Sequence, residues 1–215
     1  MEISRAGIDF IALHEGFRSR AYHDAATPPV LTIGYGFTWR STSFRSWWAR
    51  NRSAGFNLSS TMSEDEAKAA LQMLIADEYG KAVNSFLGGK QVSQHVFDAA
   101  VSAVFNLGAR SLTWKWAAAM KAGDYAAAAA RLRVTGTTAG GRRLAGLVRR
   151  RNEEALLLEK GIYTGVTQTK VPFNEAQKAV DAPFLLPADY HVPTQEQQPR
   201  GFWAVFRRVF GFNRP

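Results

Sequence analysis

Glu15 is an acid in an apolar setting. Ile8, Ile11, Ala12 and Glu15 fall at i, i+3, i+4 and i+7, one face of a helical repeat that Gly16 ends. Burial on that face and the negative end of the helix dipole both disfavour a charged carboxylate and raise its pKa. A carboxylic acid still protonated near neutral pH is what general-acid catalysis needs. The same spacing also fits a carboxylate that faces solvent at a frayed end or pairs with an arginine. Nine residues on, Asp24 opens the turn Asp24-Ala25-Ala26-Thr27-Pro28-Pro29, a polar setting in which it stays ionised. A protonated acid opposite an ionised one is the arrangement that cleaves glycosidic bonds. Thr32 adds a hydroxyl able to hold a water. Taken singly, Asp24 reads equally as an Asx-turn residue and Thr32 as an ordinary strand residue.

These groups need elements to position them. Val30 to Thr38 is rich in β-branched and aromatic residues and predicts a short β-hairpin region. With period two, Thr32, Gly34 and Gly36 share one face, and Leu31, Ile33, Tyr35 and Phe37 the other. The stretch 39–62 is basic and aromatic, with Trp39-Arg40, Phe44-Arg45, Trp47-Trp48, Arg50 and Arg52. Its tryptophans suit either stacking on sugars or packing within the domain. Ser63-Glu64-Asp65-Glu66 is a capping box that opens a long helix over 64–87, bent at Gly80. Ser93 caps the next helix, which closes at Asn106-Leu107-Gly108. Shorter helices are expected at about 111–121 and 124–133, then a glycine-rich break over 136–141, then a helix from about 145 to 159. On that last helix Leu144, Val148, Arg151, Ala155 and Leu158 form an inward stripe, so Arg151 faces the core and is a candidate to reach Glu15.

Of the 215 residues, 27 are Lys or Arg and 18 are Asp or Glu, for a net charge of +9. That balance favours an anionic partner without choosing among acidic polymer, anionic membrane and nucleic acid. No run of five like charges and no nucleic-acid module is present, so a nucleic-acid role is not expected. The chain has no cysteine, which excludes disulfides, thiolate catalysis and cysteine-held zinc. His14, His23 and His95 lack metal-ligand spacing, which argues against a zinc amidase.

The order Glu15-Gly16, Asp24, Thr32-Ile33-Gly34-Tyr35-Gly36 resembles the Glu, Asp, Thr triad of phage-type lysozymes, the endolysin family. Phe97-Asp98-Ala99-Ala100, Phe105-Asn106-Leu107-Gly108, Gly123-Asp124-Tyr125, Ala139-Gly140-Gly141 and Gly146-Leu147-Val148-Arg149-Arg150-Arg151 look like further pieces of the same pattern. The resemblance covers about residues 1–163. Two residues are extra between Asp24 and Thr32, and Phe37 stands where the family commonly has His or another polar residue. The resemblance implies an α+β, mainly α-helical fold: a small β-hairpin lobe and a larger helical lobe joined by a long helix. It implies a muramidase that inverts the anomeric centre and needs no cofactor or metal. Glu15, Asp24 and Thr32 would be catalytic, and Tyr35, Gly36, Asn106, Arg150 and Arg151 would bind the glycan. Asn106 equally suits a helix cap, and the arginines internal ion pairs.

From Thr164 the composition shifts. Residues 164–200 are polar, carry Pro172, Pro183, Pro187 and Pro193, and read as a linker. Residues 201–215 form a basic aromatic tail, in which Phe202, Val205, Phe206 and Val209 make an amphipathic stripe over 201–212 suited to anionic membrane. Packing on the domain, or docking to a virion partner, fits the tail too. The first residues are not a signal peptide, so synthesis in the host cytoplasm and holin-dependent release to the peptidoglycan are expected, with the enzyme a monomer. A lytic transglycosylase or a virion-borne wall-cutting component remains the alternative.

Overall fold

The structure, a computed structural model, describes residues 1–24, 26–139 and 141–166 of the chain. The expected tail at 201–215 and the linker from residue 167 onward lie outside the described residues.

Helix α1 (Arg5–Glu15) starts where Ser4 accepts a hydrogen bond from the Gly7 amide at 3.0 Å, and stops at Gly16, whose φ is +69°. The chain then forms an antiparallel sheet in the order β1 (Arg18–His23), β2 (Leu31–Gly34), β3 (Phe37–Thr38). Strict alternation along 31–37 does not hold. Gly34 and Gly36 take φ of +62° and +86°, so Tyr35 and Gly36 make the turn and Phe37 pairs back on Ile33. Strand β1 is a further element; Arg18-Ser19-Arg20 carries no apolar alternation to announce it.

Helix α2 (Thr42–Asn51) occupies the basic aromatic stretch and buries Phe44, Trp47 and Trp48. The capping box forms in full: the Glu66 amide donates to Ser63 Oγ at 3.2 Å, and the Ser63 amide to Glu66 Oε2 at 2.8 Å. It opens α3 (Glu64–Leu74), which continues through a π-helical turn (Ile75–Gly80) into α4 (Lys81–Leu87). The irregularity expected at Gly80 is that π turn, a helix widened by one residue per bond. Helix α5 (Gln94–Leu107) follows, buried on nearly every side. A 3-10 turn (Ala109–Thr113), α6 (Lys115–Ala122) and α7 (Tyr125–Arg133) lead to a small hairpin, β4 (Thr138–Ala139) and β5 (Arg142–Arg143). Helix α8 (Ala145–Lys160) packs on α5 and α7 and ends at Gly161, whose φ is +71°.

Asp98, fully buried on α5, ties both ends of the domain to its centre. It accepts from the Ser4 amide at 3.1 Å, the Ser4 hydroxyl, Gln94 at 2.8 Å and the Tyr163 hydroxyl at 2.7 Å. Gly7 is what lets α1 come this close: a Cβ there would sit 2.7 Å from Asp98 Cγ. Asp98→Ala leaves several donors facing a void, so urea unfolding is expected to register a loss of about 3 kcal/mol, against about 1 kcal/mol for Tyr163→Phe. A loss for Asp98→Ala no larger than that of Tyr163→Phe would contradict the hub.

Candidate active site

Glu15 is the last residue of α1 and is buried, with its side chain 4% exposed. Its Oε1 accepts from Arg150 Nη1 at 2.8 Å. Arg150 also donates through Nε to Glu154 Oε1 at 2.9 Å, four residues along α8. Arg151 Nη1 lies 2.6 Å from Glu154 Oε2, and Arg151 Nη2 donates to Asn106 Oδ1 on α5. Ser102, one turn earlier on α5, donates to Glu154 Oε1 at 2.8 Å. Two arginines and two glutamates thus share a buried centre where α1, α5 and α8 meet. Burial works against the charge of Arg150, but Glu15 and Glu154 outweigh it and hold the guanidinium above its usual range. For Arg151 burial dominates, and its pKa is pushed down to about 10, so it too stays cationic at neutral pH.

The geometry revises the expected roles on α8. Arg150, not Arg151, reaches Glu15. Because α8 is covered by both α5 and α7, its buried arc is wider than the single stripe read from the sequence. Asn106 turns its amide oxygen to Arg151 rather than to a helix end, and Arg151 is wholly buried. Both are therefore placed to position the acid's partners. Burial places His14 inward as well, and its Nε2 lies 3.2 Å from Glu153 Oε2.

Asp24 directly follows β1. Its Oδ1 accepts from the Ala26 amide at 3.0 Å and the Val30 amide at 2.8 Å, and its own amide donates to the Val30 carbonyl at 3.0 Å. The Asx-turn thus exists, and it closes the loop on itself. The extra residues lie inside that closed loop, so the pairing of Tyr22 with Thr32 is undisturbed. Thr32 is buried, and its hydroxyl donates to the Val30 carbonyl at 3.0 Å. Asp24 and Thr32 are therefore brought together by the two strands and by their shared contact, Val30. Tyr35 is buried and donates to Glu64 Oε1 at 3.2 Å, joining the turn to the start of α3. Burial first, then Glu64, pushes its phenol well above the usual range. Gly36 sits beside it in the turn.

The sequence reading missed Ser102, Glu153 and Glu154. Glu154 had a signal, the i, i+4 and i, i+3 spacing from Arg150 and Arg151; Ser102 had none. Among the described residues, no group of three His, Cys, Asp or Glu side chains is placed to hold a metal ion.

The phage lysozyme family profile matches residues 12–154. The endolysin of Lactococcus phage c2 is 29% identical over 168 residues, covering 78% of this chain and 65% of that protein. The chain therefore spans just under two thirds of that relative's length. The muramidase domain of SpmX from Asticaccaulis excentricus is 27% identical and superposes with a TM-score of 0.58, covering 73% of this chain and 97% of that domain. The active form of P1 phage endolysin Lyz shares the fold, with a TM-score of 0.58 at 22% identity, over 75% of this chain and 86% of that one.

Burial, then Arg150, Arg151 and Arg149, hold His14 well below the usual imidazole range in spite of Glu153. Below about pH 6.5 the unfolded chain takes up a proton there that the folded protein refuses. Stability is therefore expected to fall as pH drops through 6.5, by up to about 1.4 kcal/mol per pH unit from this group. His14→Gln should flatten that slope between pH 6.5 and 5 in urea melts. Equal slopes in the variant and the parent would contradict the assignment.

Proposed function

The chain belongs to the phage lysozyme family, and from that premise we propose that it hydrolyses the β-1,4 bond between N-acetylmuramic acid and N-acetylglucosamine in bacterial peptidoglycan, lysing the phage host. The observation that carries this reading is Glu15, a buried carboxyl clamped by Arg150 at the end of α1, separated by Gly16 and Phe17 from a sheet that joins Asp24 to Thr32. In this reading Glu15 protonates the departing glycosidic oxygen. Arg150 orients the carboxyl by donating to Oε1.

The water is supplied from the other side. Thr32 donates its own proton to the Val30 carbonyl, so toward a water it acts as acceptor. Asp24 Oδ1 is engaged by two backbone amides, which leaves Oδ2 for the same water. A water donating to both groups turns a lone pair toward the anomeric carbon, and Asp24 takes the proton as the bond forms. Attack by water rather than by a carboxylate inverts the anomeric centre. The net charge of +9 draws the enzyme to an anionic wall, a gain that salt screens away.

Glu15→Gln keeps the shape of the side chain and removes the transferable proton. Clearing of permeabilised cells is expected to drop by at least about a hundredfold, with the circular dichroism spectrum unchanged. Wild-type digests should carry reducing ends by mass spectrometry, with the α-anomer formed first by proton NMR. Anhydro ends would convert the reading to a transglycosylase; a first-formed β-anomer would replace the water step with a carboxylate nucleophile.

A further inference from the structure

The small lobe holds an aromatic cluster of Phe44, Trp47, Trp48 and Phe56, with Trp39 at its edge. Phe44, Trp47 and Trp48 are buried, but Trp39 is 43% exposed, the one aromatic among the large apolar side chains left exposed in the described residues. One face of the Trp39 ring is stacked on Phe56 at 5.5 Å and 17°, and Phe44 meets it edge-on at 6.3 Å and 88°. Arg45 fixes the backbone beneath it, donating through Nη1 to the Trp39 carbonyl at 2.7 Å and through Nη2 to Thr42 at 3.2 Å. The indole N–H of Trp39 has no hydrogen-bond partner among the described residues, whereas that of Trp48 donates to the Ala54 carbonyl at 2.8 Å. The cluster therefore presents a flat ring, rigidly backed on one side, with an open face and an open donor.

Its place in the fold suggests what it meets. Trp39 is the first residue after β3, and Thr38 pairs directly with Thr32. Across one strand spacing and one residue, the Cα atoms of Trp39 and Thr32 lie within about 10 Å. Resting on the glycan-cutting reading above, we propose that Trp39 is a stacking platform for an N-acetylated sugar of the glycan strand beside the bond that is cut. The C–H face of the pyranose lies on the open indole face, and the indole N–H donates to the acetamido carbonyl. The ring is pre-ordered by Phe56 and Arg45, so little freedom is lost when sugar binds.

The test uses the full chain in the Glu15→Gln background, so that binding is separated from cleavage. Adding Trp39→Ala should weaken binding to purified sacculi by about five- to tenfold, the range of a single aromatic contact. Trp39→Phe keeps the stack on Phe56 and should lose only about twofold. The losses should persist at high salt, since stacking is not screened. In the active enzyme, Trp39→Ala should raise KM for soluble glycan fragments about fivefold while kcat stays within twofold. Equal sacculus binding with and without Trp39, in well-folded variants, overturns the platform. So does a loss confined to vesicles of anionic phospholipid, which would assign the ring to a membrane. Wild-type enzyme releasing reducing ends in the same assay keeps these outcomes separate from failure of the muramidase reading itself.

Discussion

Two adjacent arginines buried on one turn of α8 constrain everything near Glu15. A buried guanidinium is tolerated only with its counter-charge and its hydrogen bonds in place, and removing one partner of such a pair costs about 3–5 kcal/mol. Here Glu154 answers both arginines from within α8, while Glu15 and Asn106 answer from α1 and α5. A slip of any of these helices would strand a charge in the core. The network is therefore a register device. It fixes the rotation of α8, and through Arg150 it fixes where α1 ends. Because Gly16 and Phe17 are all that separate Glu15 from β1, fixing the acid also fixes the start of the sheet.

The small lobe is set by a different force. Its strands are short and could not hold a register by backbone bonds alone. Packing supplies what they lack: Phe37 stacks on Phe44 at 5.2 Å, and Phe44 on Trp47 at 6.5 Å. Gly34 must be glycine for this to work, since a Cβ there would lie 2.8 Å from the Phe37 ring. Phe37 is thus received by Phe44 of α2, which Phe56 in turn meets at 5.6 Å and 85°. Polar contacts also run from Tyr35 to Glu64 and from Arg52 to Glu66, the latter at 2.7 Å, both landing on the first turn of α3. The long helix is thus gripped at its start by the sheet and its neighbours.

Local chemistry was legible in the sequence; partners across the fold were not. The capping box, the glycine stops after α1 and α8 and the stripe carrying Glu15 each depend on residues within a few positions of one another, and each formed. Strand β1 was hidden because Arg18, Ser19 and Arg20 are polar and all exposed, so no alternation marks it. Helix α2 was hidden because its aromatic residues suit strand and helix alike. The choice between Arg150 and Arg151 needed the positions of α5 and α7, which no spacing within α8 contains. The burial of His14 was hidden for the same reason: the Glu153 that receives it lies more than a hundred residues away.

The same network bears on the acid role proposed for Glu15. Burial and the end of α1 oppose a charge on Glu15, and Arg150 supports one. Arg150 does not act on Glu15 alone, because its Nε is held by Glu154 at nearly the same distance as its Nη1 is held by Glu15. Glu154 is itself divided between two arginines and Ser102. The charge of Arg150 is therefore partly answered whether or not Glu15 is ionised. A guanidinium with no second partner would be left unpaired by protonation of Glu15, a large penalty in a dry interior. With Glu154 in place that penalty is reduced, so the arginine can orient the acid without locking it in its ionised form. In the proposed mechanism Glu154 is then needed for more than the stability of α8: it leaves Glu15 able to carry the proton that this reading has it give away.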